Sequence, residues 1–198
     1  ENAQKIQNAQ EELNSTNDRL SRQLAHWQAL SNFQREISEI STSEKELEEI
    51  WQFTVRALDN LGVDPSYLYL AQYIGDTITF PRVFEKGKSI DLENRHLPGD
   101  PYRARRIGDH PDLTEWVVVN GQALHFGTRS AMEEFKLLHR DVSHIPRKSR
   151  SWMGVPIKNG EKIFGMIGLR SYDQEHAFDD LLKEFMENIA RQAGIVLD

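Results

Sequence analysis

Residues 151–172, SWMGVPIKNGEKIFGMIGLRSY, contain two runs of alternating side chains on either side of Asn159-Gly160. Asn-Gly between two such runs is a strong signal for a β-hairpin. We therefore expect residues 151–157 to pair antiparallel with residues 163–171, with the turn at Asn159-Gly160. Because successive side chains of a strand point to opposite faces, this hairpin also divides its residues into two sets.

The two faces of the hairpin differ in composition. One face is wholly apolar, and we expect it to pack against helices from the two ends of the chain; it carries Met153, Val155, Ile157, Ile167 and Leu169. The other face combines aromatic rings, glycines and one arginine. By strict alternation it carries Trp152, Gly154, Pro156, Phe164, Met166, Gly168 and Arg170. The two glycines on this face predict room for a ligand.

Further helices and strands are predicted on both sides of the hairpin. A helix spans 43–61, with Ser43 and Glu46 at capping-box spacing and Gly62 just past its end. The next two segments are strands at 66–73 and 77–84, the first introduced by Pro65 and the second limited to an edge or a bulge by Pro81. Three short elements follow in an irregular stretch: a helix at 113–119, a strand at 123–126 and a helix at 130–139. A final amphipathic helix begins near Asp179.

The first 41 residues predict one long helix without Pro or Gly. Apolar side chains recur every seven residues in one row, and a companion row is partly polar, as in the seam of a coiled coil. The seam consists of Ile6, Leu13, Leu20, Leu24 and Trp27, with Ala3, Gln10 and Asn17 completing the companion row. The alternative is an amphipathic helix folded back on its own domain. We favour a parallel homodimer because polar residues dominate residues 1–19.

The apolar pattern of this helix shifts near Trp27. From there the apolar positions become Leu30, Phe33, Ile37 and Ile40. Such an interruption is typical of a stalk that passes into a globular domain. We divide the chain into a helical stalk, 1–41, and a globular domain, 42–198, and the open N-terminal helix suggests a piece of a longer protein.

Composition and charge narrow the functional classes. The formal net charge of −7 argues against a general nucleic-acid binder, and no apolar stretch approaches the length of a membrane span. Residues 81–150 nevertheless hold 13 Lys and Arg against 10 Asp and Glu, a net charge of +3. Mixed charges on exposed loops explain this difference, and so does a local site for an anion.

No catalytic pattern stands out. The chain has no cysteine, and its seven histidines form no HExxH or similar metal-binding arrangement. It contains neither a Gly-x-Ser-x-Gly motif nor a phosphate-binding P-loop. We therefore assign no catalytic residue, no metal site and no known cofactor, and we expect the chain not to be an enzyme.

The segment from Ser151 to the end of the chain resembles the C-terminal half of a GAF domain. The resemblance rests on Ser-x-Met-x-Val-Pro-Ile from 151, the hairpin, Gly165 before Met-Ile-Gly-Leu, then Ser-Tyr-Asp, Phe178 and Ile-Ala-Arg-Gln-Ala from 189. It implies an α+β fold: a central six-stranded antiparallel sheet with helices on both faces, preceded here by a long N-terminal helix. It also implies a small-ligand pocket under the middle segment and a place in sensor proteins.

Two departures from the family limit what the resemblance implies. The asparagine-lysine and phenylalanine-aspartate-glutamate signature of members that bind cyclic nucleotides has no match here. Without cysteine, the chain lacks the means for covalent bilin attachment and for the methionine-sulfoxide reduction of some relatives.

The candidate ligand site lies on the mixed face of the sheet. In the first strand, Leu68 and Leu70 suit the helix side, which leaves two tyrosines on the mixed face. The candidate ligand-binding residues are Arg170, Trp152, Gly154, Gly168, Met166, Tyr67 and Tyr69. A small anionic or mixed polar-aromatic ligand would suit them. The same residues could instead form a second, filled core under the middle segment.

Arg170 needs a partner because a buried guanidinium is costly without one. That partner is either a carboxylate of the middle segment, such as Asp112 or Glu115, or an anionic ligand. The sequence thus predicts a cytoplasmic, non-catalytic sensor module that relays binding of a small ligand or a partner through its terminal helices to an output domain outside this chain. The alternative is a ligand-free structural dimerisation module.

Overall fold

The computed structural model describes residues 2–37, 43–64, 66–90, 102–146 and 148–198. The elements in chain order are α1 (Asn2–Ile37), α2 (Ser43–Asn60), β1 (Tyr67–Ile74), β2 (Thr77–Glu85), β3 (Lys88–Ser89), β4 (Arg105–Arg106), α3 (Leu113–Asn120), β5 (Leu124–Phe126), α4 (Arg129–Leu138), β6 (Ser151–Asn159), β7 (Lys162–Ser171) and α5 (Asp180–Val196). The predicted elements of the middle segment are confirmed as α3, β5 and α4. None of the helices in the described ranges is both long enough and apolar enough to cross a bilayer.

One antiparallel sheet organises the chain. Its strands follow the order β3-β2-β1-β7-β6-β5, and the two-residue β4 also pairs with β2. The predicted six-stranded antiparallel sheet is therefore confirmed, with β4 as an additional short strand. The predicted hairpin forms its centre, since β6 and β7 pair along almost their whole length.

The sheet separates two hydrophobic cores. The apolar face predicted for the hairpin packs against α2 and α5, where Met153 and Ile167 meet Ile50 and Phe185. The mixed face packs under the middle segment, where α3 contributes Leu113 and other apolar side chains. Helical segments thus cover both faces, which confirms the α+β architecture expected from the sequence.

The hairpin turn lies one residue later than predicted. Asn159 pairs with Lys162, so the two-residue loop is Gly160-Glu161 and not Asn159-Gly160. Gly160 has a φ of 55° and occupies the first central position of the loop. A glycine with positive φ at this position is typical of a type II′ turn, whose twist suits a hairpin.

A β-bulge in β7 changes the face of Phe164. Ile157 lies opposite Gly165 and Lys158 opposite Ile163, so Phe164 is an extra residue in β7. Phe164 consequently packs against the core on the α2 and α5 side, whereas Ile163 packs against the other core. The prediction of Phe164 on the mixed face is wrong because strict alternation does not survive a bulge.

A second bulge lies where Pro81 predicted an edge or a bulge. Leu70 pairs with Arg82 and Gln72 with Thr79, so two residues of β2, Phe80 and Pro81, oppose one residue of β1. Pro81 therefore occupies an irregularity of the ladder, where its missing N–H leaves no strand hydrogen bond unmade.

The boundaries of α2 agree with the sequence. The helix begins at Ser43, and Gly62, with a φ of 66°, lies just past its end. The Ser43 and Glu46 side chains, Pro65, and the side chains of Leu30, Phe33, Ile37 and Ile40 lie outside the described residues. The division of the chain at residues 41 and 42 stays a prediction.

The close approach of β7 to β1 yields a first testable prediction. A Cβ added at Gly165 would lie 2.0 Å from the carbonyl oxygen of Ala71. Since that atom belongs to the backbone of a central strand, it has little freedom to move. We expect Gly165→Ala to lower the free energy of unfolding by about 3 kcal/mol in chemical denaturation.

Gly87→Ala is the matched control. Gly87 has a φ of 78° but no atom within 4 Å of an added Cβ, so its substitution should cost only backbone strain, about 1 kcal/mol. Equal stability losses in the two variants would contradict the assigned strand contact.

Candidate ligand site

The register of the three central strands brings the predicted site residues together. Tyr67 and Trp152 both lie opposite Arg170, one on each side of β7. Gly168 is flanked in the same way by Tyr69 and Gly154. All seven are buried: Arg170, Trp152, Gly154, Gly168, Met166, Tyr67 and Tyr69. Their placement on one face is therefore a property of the register, and their role in ligand binding stays a prediction.

The hydroxyl of Tyr69 connects three elements of this face. Trp152 Nε1 donates a hydrogen bond to it over 3.2 Å, and Thr114 Oγ1 lies 3.0 Å from it. Thr114 belongs to the first turn of α3, so this buried bond joins the middle segment to the sheet. A hydroxyl with two partners is well satisfied, which makes Tyr69 a fixed part of the site.

Arg170 is enclosed by aromatic rings. Its residue is 4% exposed, and its guanidinium carbon lies 4.8 Å from the ring centre of Tyr69 and 5.4 Å from that of Tyr102. Such contacts stabilise a cation through the negative faces of the rings. Its Nε has no hydrogen-bond partner within the described part of the chain. The guanidinium stays charged in this setting because its pKa is far above neutrality.

The carboxylates expected to neutralise Arg170 have other partners. Asp112 Oδ2 accepts a hydrogen bond from Arg105 Nη2 at 2.7 Å, and Glu115 Oε1 accepts one from the backbone N–H of Gly108 at 2.9 Å. Neither forms an ion pair with Arg170, so both named partners are wrong. Among the described residues, the guanidinium thus lies against the rings of Tyr69 and Tyr102.

The family model described as GAF domain matches residues 46–197. The chain belongs to the GAF family. This match covers both the hairpin that carried the sequence resemblance and the middle segment, which the sequence pattern alone described less well. The family assignment therefore extends over the whole sheet and over both of its cores.

Solved GAF structures have the same fold at low sequence identity. The GAF domain of a phosphoenolpyruvate-protein phosphotransferase from Acinetobacter is 15% identical, with a TM-score of 0.60 over 87% of this chain and 92% of that one. The corresponding domain from Coxiella burnetii is 13% identical, with a TM-score of 0.60 over 87% of this chain and 92% of that one. Free methionine-R-sulfoxide reductase from Neisseria meningitidis, solved with its substrate, is 14% identical, with a TM-score of 0.58 over 87% of each chain. No curated protein matches the chain.

The space expected above the two glycines of this GAF domain is filled by its own rings. A Cβ at Gly154 would lie 2.3 Å from the Trp152 ring, and one at Gly168 would lie 2.2 Å from the Tyr69 ring. The glycines are therefore required for these aromatic side chains to lie flat on the sheet. The room that they were expected to leave is absent at these two positions.

Sequence reasoning missed two tyrosines of the aromatic cluster beside Arg170. Tyr102 is 4% exposed and packs beside both Tyr67 and Tyr69. Tyr172 packs on Tyr67 with ring centres 4.7 Å apart. Tyr172 could have been found by continuing the alternation of β7 two positions past Arg170. Tyr102 lies in a part of the sequence that has no periodic pattern of apolar residues.

A second polar cluster lies at the start of α3. Asp112 caps this helix through the backbone N–H of Glu115, and burial raises the pKa of the Glu115 carboxyl. Nearby, the His110 and His144 rings stack with centres 3.9 Å apart. Within the described ranges, no three histidine, cysteine or acidic side chains gather as metal ligands would. These contacts fasten the middle segment to the edge of the sheet.

The environment of Arg170 yields the second prediction. If no carboxylate of the chain neutralises the guanidinium, replacing it with an apolar side chain removes a buried charge without stranding another. We expect Arg170→Met to unfold within about 1 kcal/mol of the parent protein in ligand-free chemical denaturation.

Arg105→Met is the matched control, because Arg105 pairs with Asp112 at 2.7 Å and both side chains are largely buried. Removing this partner should cost about 3–5 kcal/mol by leaving the Asp112 charge unpaired. A loss of that size for Arg170→Met would show that an internal carboxylate holds Arg170.

Proposed function

We propose that this chain is a non-catalytic regulatory module of a cytoplasmic signal-transduction protein. In this proposal the GAF domain responds to a small ligand, and helix α1 relays the response to an output domain outside this chain. The observation that carries the proposal is the pair of surfaces on α1. One surface packs on the GAF domain, and the opposite surface is apolar and exposed.

The domain-facing surface of α1 lies near its C-terminal half. His26 is 8% exposed, and its ring stacks on Phe185 of α5 with centres 5.1 Å apart. Ala29 packs against the same core. A shift of α5 would therefore change its packing against α1 directly. This contact supports a mechanical link between the globular domain and the stalk.

The exposed surface of α1 is the heptad seam. Its five apolar side chains are between 57% and 71% exposed: Ile6, Leu13, Leu20, Leu24 and Trp27. On an α-helix, Leu20 and Leu13 lie about 120° and 140° around the axis from His26. These exposures support a contact between chains over the alternative of an amphipathic helix that buries its apolar row on its own domain.

A second copy of the chain is the occupant that we propose for this seam. A seven-residue apolar repeat is specific for another helix of the same kind, because knobs-into-holes packing requires a matching period. Asn17 would lie within the seam, where a buried polar pair favours a two-stranded, in-register parallel coil at some cost in stability. The proposed assembly is thus a parallel homodimer.

The ligand that we propose for the GAF domain is a small anionic or mixed polar-aromatic molecule that contacts Arg170 and Trp152. Support comes from the enclosed guanidinium, whose Nε lacks a partner in the described residues. An anion would supply the two parallel hydrogen bonds that a guanidinium fork favours. Binding could shift the packing of α5 on α1 only by its differential affinity for the two arrangements.

The proposal of a non-catalytic role rests on chemistry. Free methionine-R-sulfoxide reductases share the fold, including the one from Neisseria meningitidis. The family resemblance implies that these relatives reduce a sulfoxide with cysteine thiols. This sequence contains no cysteine. An ordinary regulatory role therefore fits the chain better than a reductase.

A ligand-free dimerisation module is the second candidate, and one observation favours it. The Trp152 and Tyr69 rings fill the spaces above Gly154 and Gly168, so the mixed face has the packing of an ordinary core. Native mass spectrometry of the chain purified from its own host separates the two candidates. A retained small molecule that Arg170→Met abolishes supports the sensor, and its absence from the parent protein supports the structural module.

The seam yields the third prediction. Leu20→Asp places a charge inside the proposed dimer contact, so we expect the dimer dissociation constant to rise at least about tenfold in sedimentation equilibrium. The physical reason is the cost of burying an unpaired carboxylate.

Ser15→Asp adds the same charge on the opposite side of α1 and should leave the dissociation constant unchanged. A parent chain that is monomeric at high micromolar concentration, or equal behaviour of the two variants, would rule out the proposed dimer.

A further inference from the structure

A groove of about 560 Å³ lies where α1 passes the beginning of α5. It is distinct from the candidate ligand site, which lies on the other face of the sheet. Helix α1 contributes Arg22 and His26, the turn after α2 contributes Leu61 and Val63, and the segment that begins α5 contributes Asp179 and other residues. Its volume is in the range of sites that enclose small molecules.

The groove contains one positive and one negative side chain that are only loosely paired. Arg22 Nη1 lies 3.8 Å from Asp179 Oδ2, beyond hydrogen-bond distance, and the two side chains are 67% and 54% exposed. An exposed pair of this kind contributes little to stability. Asp179 Oδ1 already accepts a hydrogen bond from the backbone N–H of Leu182 as the N-cap of α5. Its Oδ2 and the Arg22 guanidinium therefore retain capacity for another partner.

The remaining walls of the groove combine apolar side chains with the polar residues Ser21, Asn60 and His176. Leu182 is 3% exposed and belongs to the core, against which Leu61, Val63 and Ala177 also pack. An apolar ligand group could contact these four apolar side chains. The groove thus offers two opposite charges at one place and an apolar surface beside them.

His26 connects the groove to the contact between α1 and α5. It lines the groove and stacks on Phe185, and its Nδ1 has no hydrogen-bond partner among the described residues. Burial lowers the pKa of its imidazole, while Asp179 opposes that effect. The ring is therefore neutral near pH 7 and adds no charge to the groove, but it responds to any change in the α1–α5 contact.

We propose that this groove binds a small zwitterion of the α-amino-acid class with an apolar side chain. The ligand carboxylate would bind Arg22, its ammonium would bind Asp179, and its side chain would lie on Leu182 and the apolar residues beside it. A simple anion would be repelled by Asp179, and a simple cation would be repelled by Arg22. Only a ligand with both charges is complementary to both side chains.

Such a ligand would join α1 to the beginning of α5. It would therefore fix the stalk on the GAF domain at the place where the two are in contact. This regulatory consequence rests on the proposed function. The binding itself does not, because every groove residue lies within one copy of the chain.

The test is isothermal titration calorimetry of the full chain with L-leucine and two analogues that each lack one charge. Isocaproate keeps the carboxylate and the branched side chain, and isoamylamine keeps the ammonium and the same side chain. We expect L-leucine to bind and each analogue to bind at least about tenfold more weakly. No heat of binding with L-leucine up to about 10 mM, or equal affinity for either analogue, overturns the proposal.

Two variants locate the site. Asp179→Asn removes the charge but retains a good helix N-cap, and Arg22→Gln removes the opposite charge. Each should weaken L-leucine binding at least about tenfold, and Arg19→Gln, an exposed arginine of α1 outside the groove, should not. Binding that both groove variants leave unchanged overturns the proposal. The His26 imidazole proton signals should move on titration in the parent protein, and they should not move in Arg22→Gln.

A failed dimer would not affect this result. Leu20→Asp changes the seam and leaves the lining residues of the groove intact. Binding of L-leucine to that variant with parental affinity would show that the groove functions even if the proposed dimer is wrong.

Discussion

Burial of β1, β6 and β7 on both faces is the constraint on which the rest of this structure depends. A strand covered on both sides has to be apolar at nearly every position, and each polar group that it carries must find a partner inside the protein. Tyr69 meets this requirement through Trp152 and Thr114, which join the sheet to α3. Close packing of the strands also restricts side-chain size. At Gly165, β7 approaches Ala71 too closely for any side chain. The same burial surrounds Arg170 with tyrosine rings, which stabilise its charge without neutralising it. In the proposed function, this enclosed guanidinium is the group that an anionic ligand contacts.

Much of the sheet could be predicted because its signals are local. Alternation along β6 identified the face on which Met153 packs against α2 and α5. Pro81 indicated the bulge in β2. The wrong predictions have physical causes that side-chain alternation does not reveal. Phe164 lies on the other face because a bulge shifts the register of β7 against β6, and strict alternation does not include bulges. The candidate site was predictable only in part for the same reason. Its strand residues follow from alternation, but Tyr102 reaches Arg170 from an irregular segment, and the partners of Asp112 and Glu115 are set by loop geometry.

Helix α1 carries both a contact with the GAF domain and the exposed apolar seam. Its His26 contacts α5 of the GAF domain, while the row that includes Leu13 and Leu20 is exposed in a single copy of the chain. In the proposed function, α1 converts a change of packing on the GAF domain into a change of packing between two stalks. The groove beside Arg22 and Asp179 lies at this junction, so a ligand bound there would act on the relay without entering the covered core. In this arrangement two chemically different sites could bias one element, as coupling between sites requires.

The most direct measurement of the central claim uses the absence of cysteine from the sequence. Gln10→Cys and Leu24→Cys each place one thiol in the companion row of the seam, where residues of two parallel copies would face their own counterparts within the reach of a disulfide, about 5.5–6 Å between Cα atoms. The two variants, one of them enlarged by a tag, are oxidised alone and as a mixture at micromolar concentration. The account predicts that each variant crosslinks with itself and that few mixed dimers form. Predominantly mixed Gln10–Leu24 crosslinks would show an antiparallel pair, and no crosslinking in any sample would show that the seam does not join two copies of the chain.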